Sequence, residues 1–385
     1  MTGNGQVSVQ VRPGVAELWP ELAADGPLLT KLSWLELRSA SFGDQMITLV
    51  VTEDGEAKLA ALATVLRKPA PGELYDLHHV VVSPAPVLPL TDAARAARTE
   101  LMATAPPPER WVPCLIVMLP GYECVPVGPG RADPALLGEL VSGAVAWAGE
   151  QDLPTVAFLY THADPPGLDQ ALARHGFTAL SLSRTWVLPV PAGGTPEYLA
   201  MLAPKRRSEA AREMRRLADA GVSIRQLDPC ELGAEATLTA MAALRARNVR
   251  KYHGRAAEAR ELAKLQRVIT DVCDGQPRVF VAEAAGGMVG FTLFCAHGDC
   301  WYGLSGGHDY SAASSRFCYF ATSFYAPVPA AAQAGVRSLA FGQGSAGAKR
   351  SRGCVGLPLA GWILSAERDL RAAVQASAAI TELDA

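Results

Sequence analysis

The stretch RVFVAEAAGGMVGFTLFCAHGDCWYGLSGGHDY, residues 278–310, decides the fold. Three runs rich in β-branched and aromatic residues are separated by two short turn signals. Residues 279–283 and 288–294 flank Ala284-Ala285-Gly286-Gly287, and Gly298-Asp299-Cys300 leads into 301–304. This spacing predicts an antiparallel meander. A helical run over 316–334 comes next, then a strand over 336–341 that ends in Gly342-Gln343-Gly344-Ser345-Ala346-Gly347.

Working outward, the first half carries a fainter copy of the same order. Residues 47–52 and 57–66 around Glu53-Asp54-Gly55-Glu56 read as a hairpin, and 114–120 as a strand. A helix over 134–150, a strand over 155–160, a short helix over 166–175 closed by Gly176 and a strand over 178–189 complete it; a glycine in that place ends a helix. An extra Pro- and Ala-rich stretch over 68–110 lies within this half, long enough to cover or line something. A turn-rich linker at 190–195 marks the boundary, so the expected domains are 1–190 and 191–385. Two domains also suit the length, since 385 residues exceed what one core usually organises.

Composition narrows the class. Apolar residues make up 49% of the chain, yet no run of 18 or more is uninterrupted and the N-terminus is no signal peptide, so a cytoplasmic protein without a membrane partner is expected. The eight cysteines form no C-x-x-C pair and have no histidine at zinc spacing, which favours reduced thiols over disulfides or metal. A net charge of −3 excludes coating nucleic acid by bulk charge but permits a local basic patch. One is present on the helix expected over 196–220, where Lys205, Arg206, Arg207, Arg212, Arg215 and Arg216 stand against only Glu209 and Glu213. The cluster reads either as a phosphate-binding face or as a solvated one. Two further helices, over 232–252 and 256–273, precede the meander.

The order hairpin, strand, helix, strand resembles the GNAT N-acetyltransferase fold, and LDQALARHGFTAL at 168–180 resembles its late helix and strand. The resemblance implies an α/β (α+β) protein of two tandem acyl-CoA N-acyltransferase-like lobes, each a mixed, mainly antiparallel sheet flanked by helices. The first lobe would be degenerate and the second would hold the active site. After the third strand, 308–316 lacks the Arg/Gln-x-x-Gly-x-Gly/Ala loop that binds the coenzyme A pyrophosphate in such enzymes, which argues against ordinary acetyl-CoA binding. The tandem lobes, the basic helix at their junction and LAFGQGSAGAKRSRG at 339–353 resemble the Fem family and its relatives in peptidoglycan biosynthesis. That likeness implies an acyltransferase that forms amides, with aminoacyl-tRNA as donor co-substrate, no tightly bound cofactor, and a peptide or small-molecule amine as acceptor. The family's long coiled-coil insertion is not evident, which leaves natural-product biosynthesis beside cell-wall precursors as the setting. A CoA or carrier-protein thioester is the alternative donor. A non-catalytic peptide- or glycan-binding module is the alternative of another class.

His308 and Asp309, just past the central strand of the second lobe, are the catalytic candidates, because an imidazole of ordinary pKa takes an amine proton near neutrality. Ser305, Gly307, Tyr252, Trp301, Gly342, Gly344, Lys349 and Arg350 are the substrate-binding candidates, with Gly306 and Gly307 allowing close approach of a ligand. By the Fem-like match, Lys349 lies near the acceptor or acyl-donor pocket. Lys205, Arg206, Arg207, Arg215 and Arg216 are the candidates for donor phosphate or tRNA. Asp76, His78 and His79 read as surface or packing residues, and Phe317, Tyr319, Phe320, Phe324 and Tyr325 as core.

Overall fold

The computed structural model describes residues 6–39, 45–69, 74–83, 91–121, 123–163, 167–311 and 317–382, with the side chains of 252, 253, 381 and 382 excepted. Pro71, Pro84, Pro86 and Pro89 of the insert, and the part of the glycine-poor loop at 312–316, lie outside them. Two compact units result: 1–184 with 358–385, and 185–357.

In the first unit the strands run in the order β1 (Val7–Pro13), β2 (Met46–Glu53), β3 (Glu56–Leu66), β4 (Cys114–Val117), β5 (Thr155–His162), β12 (Val355–Ser365) and β6 (Thr178–Pro189). From β1 to β4 neighbours pair antiparallel, as do β5 and β12, whereas β4 and β5 run parallel. The β2–β3 turn is Asp54-Gly55 with φ of +52° and +83°. Positive φ at both central residues gives the twist that a two-residue hairpin needs. Helix Pro134–Glu150 starts where Asp133 accepts a hydrogen bond from the Ala135 N–H at 2.8 Å and Pro134 occupies the first turn. Its stripe of Leu136, Leu137, Leu140, Val141, Ala144 and Ala148 is buried, each large side chain contributing about 1.5–3 kcal/mol. The insert supplies helices Leu77–Val82 and Asp92–Thr104, the former capped by Asp76, which accepts from the His79 N–H.

In the second unit the order is β6, from Thr185 onward, then β11 (Ser338–Ala340), β10 (Cys300–His308), β9 (Gly287–His297), β8 (Arg278–Ala284) and β7 (Ser223–Gln226). The ladder repeats the first unit's pattern, antiparallel throughout except for β10 with β11. The meander at 278–308 is therefore present. The last strands do not follow the boundary expected at 190. The end of β6 pairs with β11, Leu188 opposite Leu339, whereas β12, near the C-terminus, pairs with β5, Trp362 opposite Phe158. Residues 358–385 accordingly group with the first unit, and the second begins at Thr185, just before the linker.

The single helix expected over 196–220 is two, Thr195–Met201 and Pro204–Asp219. Pro204 is the cause, because the residue before a proline is driven from helical to extended backbone, and Ala203 has ψ of 147°.

Candidate active site

The second unit opens where its parallel pair parts. β10 and β11 are paired only over Cys300–Tyr302 and Ser338–Ala340, and a bulge between Gly303 and Ser305 then bends β10. Beyond it β10 runs along β9 as far as His308, while the chain leaving β11 turns toward Trp186: the Phe341 N–H donates to Trp186 O, and the Trp186 N–H to Gly342 O. Gly342 has φ of +64°, which a glycine adopts without strain.

On the β10 side the sequence candidates are drawn into the structure rather than left open. A Cβ on Gly307 would lie 2.5 Å from Arg245 N, so its missing side chain admits helix Glu235–His253 and not a ligand. The Gly306 carbonyl accepts from Arg245 Nη1 at 3.3 Å and Asn248 Nδ2 at 3.4 Å. His308 is only 3% exposed. Its ring lies against Gly290, where a Cβ would approach within 2.7 Å, and edge-on to Tyr319. Thr322 Oγ1 donates to Cys318 O at 3.0 Å, so its 3.1 Å contact with His308 Nε2 needs the imidazole to be the donor. Thr292 and Ser323 extend this hydroxyl chain at 3.0 and 2.9 Å. Thr322 and Ser323 belong to a turn of π-helix, Ala321–Tyr325, a widened geometry frequent near functional sites. Burial pushes the His308 imidazole down to about 4. The expectation of an ordinary imidazole pKa is thereby corrected: His308 is neutral across pH 6 to 9 and too weak a base to take a proton from an ammonium.

Asp309 is held elsewhere. Its carboxylate pairs with Arg247 at 2.7 Å and accepts from Ser311 Oγ and N, bonds that lower its pKa, the Ser311 hydroxyl foremost. Trp301 is buried beside Phe280 and Phe294 and serves the core. Ser305 is half-buried on β10, and the side chain of Tyr252 lies outside the described ones.

On the β11 side Lys349 sits on the short helix Ala346–Arg350, entered through Ser345 at φ of +59°. Its Nζ donates to the carbonyls of Phe341 at 2.8 Å and Gly342 at 2.9 Å, the turn that carries the chain away from β11. Burial pushes the Lys349 ammonium down to about 8. Gly344 faces open space, and the Arg350 guanidinium stacks over Trp186, 5.6 Å from the ring centre.

The basic helix Pro204–Asp219 divides its cluster. Lys205, Arg212, Arg215 and Arg216 lie on its solvent side, Arg206 pairs with Glu209, and Arg207 caps the preceding helix by donating to the carbonyls of Leu199, Ala200 and Leu202. Glu213 is not part of a solvated face. It is buried and meets Arg352 Nη2 at 2.7 Å through both oxygens, while Tyr325 Oη donates to it at 2.5 Å. Arg352 Nε donates to the same phenol at 2.7 Å, and the guanidinium lies 3.9 Å from the centre of the Phe320 ring. A signal for this was present: Glu213 falls at helical spacing between Ala210 and Leu217, on the buried stripe.

Comparison with known proteins adds a family to these observations. No curated protein matches the chain. Among solved structures, FemX superposes with a TM-score of 0.55 at 13% identity, covering 91% of this chain and 95% of FemX. A conserved protein of unknown function from Bacteroides thetaiotaomicron superposes at 0.53 with 13% identity, over 92% of this chain and 99% of that one. A tandem GNAT protein from the clavulanic acid biosynthesis pathway matches at a lower TM-score of 0.46, with 14% identity over 94% and 99%. At such identities the likeness to FemX is one of fold alone. The family model for FemAB-like proteins of peptidoglycan biosynthesis/recognition matches residues 125–380, so the chain belongs to the FemAB-like family.

Proposed function

We propose that this protein transfers an activated aminoacyl group to an amine, with aminoacyl-tRNA as donor and an amine of a peptide or small molecule, as in a cell-wall precursor, as acceptor. Membership of the FemAB-like family over residues 125–380 carries the reading, since a transferase is implied by the family and the donor is the step beyond it. The chemistry asked of the protein is modest. An aminoacyl ester is already activated, so holding a neutral amine beside it supplies much of the rate.

The residues divide that work. Lys349, cationic at neutral pH, holds the Phe341–Gly342 turn, and its charge favours the negative charge that develops on the acyl oxygen during attack. Arg350 lies beside it at the same turn. Lys205, Arg215 and Arg216, with Arg212, are the donor-phosphate contacts of this reading, and Arg206 and Arg207 act mainly within the fold. His308 supplies a fixed neutral imidazole rather than a base, and the amine's proton leaves to water.

The test is incubation of the purified chain with a mixture of charged tRNAs and candidate amines, then mass analysis. New amides that need charged tRNA support the reading. Product from acetyl-CoA or a carrier-bound thioester alone would replace the donor.

A further inference from the structure

Three glutamates are buried among the described residues, Glu123, Glu213 and Glu261. Two are met by permanent cations: Glu213 by Arg352, and Glu261 by Lys264 at 3.1 Å and Arg245 at 3.7 Å. Glu123, in the first unit, has no ion pair with lysine or arginine among the described residues. Its Oε2 meets only His162 Nε2, at 3.1 Å, and that side chain is charged only when protonated. A buried carboxylate without a cation is costly, and a positive ligand would supply what the chain omits.

The backbone carries the glutamate at a further cost. Glu123 has φ of +73° and Tyr160, across from it, +60°, and such conformations cost bulky residues about 1 kcal/mol or more. Both are held in place. The Leu119 N–H donates to Glu123 O at 2.8 Å, and the Cys124 N–H to Tyr160 O at 3.0 Å. The Tyr75 hydroxyl donates to Leu119 O and accepts from the Gly121 N–H, locking the same turn. A turn that served only to reverse the chain would be better made with glycine at 123, so a strained, buried glutamate beside a partly exposed histidine points to a use for the side chain.

We propose that Glu123 and His162 form a binding site for a primary ammonium group within the first unit. The carboxylate supplies the opposite charge and hydrogen-bond acceptors, and the imidazole beside it is 23% exposed. One carboxylate and one imidazole are too few ligands to favour a metal ion, and no group of three metal-ligating side chains occurs among the described residues. The site is independent of the transfer reaction proposed above.

The test needs neither donor nor turnover. The imidazole resonances of His162 are tracked by NMR during titration with n-butylammonium chloride and, separately, n-butanol. Saturable shifts with the ammonium and none with the alcohol are expected, weakened about tenfold or more in Glu123→Gln, where charge assistance is lost. Glu123→Gly, which the backbone at φ of +73° suits, should unfold cooperatively and show the same loss. Equal response to both probes, no saturable response in the parent, or parental affinity in either variant would overturn the proposal.

Discussion

The two units build the same ladder and leave it differently. In the first, β4 and β5 part after Val117 and Phe158 and are tied again at Cys124, whose N–H bonds Tyr160 O. In the second, β10 and β11 part after Tyr302 and Ala340, and no described hydrogen bond of the sheet rejoins them. Hydrogen bonding fixes the ladder in both, so the difference lies in the segments beyond the parallel pair. A strained turn closes one opening, and a lysine on two carbonyls borders the other. The sharpest chemical contrast is in the buried glutamates, compensated by arginine and lysine in the second unit and, among the described residues, by a histidine in the first.

The largest expected effect tests that contrast. Arg352→Met leaves Glu213 buried and uncompensated, and should cost about 3–5 kcal/mol of stability. Pairing it with Glu213→Leu should recover most of the loss. Glu123→Gln, which removes no permanent ion pair, should cost about 1 kcal/mol or less. Urea denaturation of the parent and these variants measures all of this, and equal losses for Arg352→Met and Glu123→Gln would erase the distinction.

The next effect is in pH. Burial holds folded His308 at about 4 against 6.5 when exposed, so between those values the unfolded chain binds the additional proton. The stability present above pH 6.5 is therefore lost as pH falls toward 4, by about 3 kcal/mol. His308→Gln should flatten this dependence; a parental pH profile in that variant would place the titration elsewhere.

Much of the architecture was legible because local chemistry determines it. Asp54-Gly55 dictates its turn, Asp133-Pro134 starts its helix, and the meander is written in the alternation of 278–308. The features that escaped reading depend on neighbours distant in sequence. β6 and β12 both look like last strands, and period-2 alternation does not say which parallel pair each will join. β7, Ser-Ile-Arg-Gln, is a short edge strand with little apolar content. The site shows the same limit. Glycines at 306 and 307 suggested a ligand, but the long helix occupies the space at 307 and the Phe291 carbonyl crowds that at 306, and nothing near His308 in sequence announces the burial that lowers its pKa. Pro204 was the signal for a broken helix, and Glu213 on the apolar stripe was the signal for a buried ion pair.

The smallest stability effect compares the two hairpins. Gly55 lies at φ of +83° and Gly287 at +107°. Gly55→Ala should cost about 1 kcal/mol and Gly287→Ala somewhat more, because +107° is farther from the small left-handed region open to alanine. Thermal unfolding of both variants gives the order, and an unchanged midpoint for Gly287→Ala would contradict it.

In the proposed reaction, the opening bordered by Lys349 is where an activated aminoacyl group meets an amine. Single-turnover amide formation from charged tRNA, read by mass analysis for the parent, Lys349→Met and His308→Gln across pH 6 to 9, tests this most directly. The expected result is a loss of about tenfold or more for Lys349→Met, equivalent to about 1.4 kcal/mol of lost transition-state stabilisation. For His308→Gln a parental pH profile is expected, since an imidazole held at about 4 is already neutral there. Parental rates in Lys349→Met, or a rate that collapses at low pH only in His308→Gln, would contradict it.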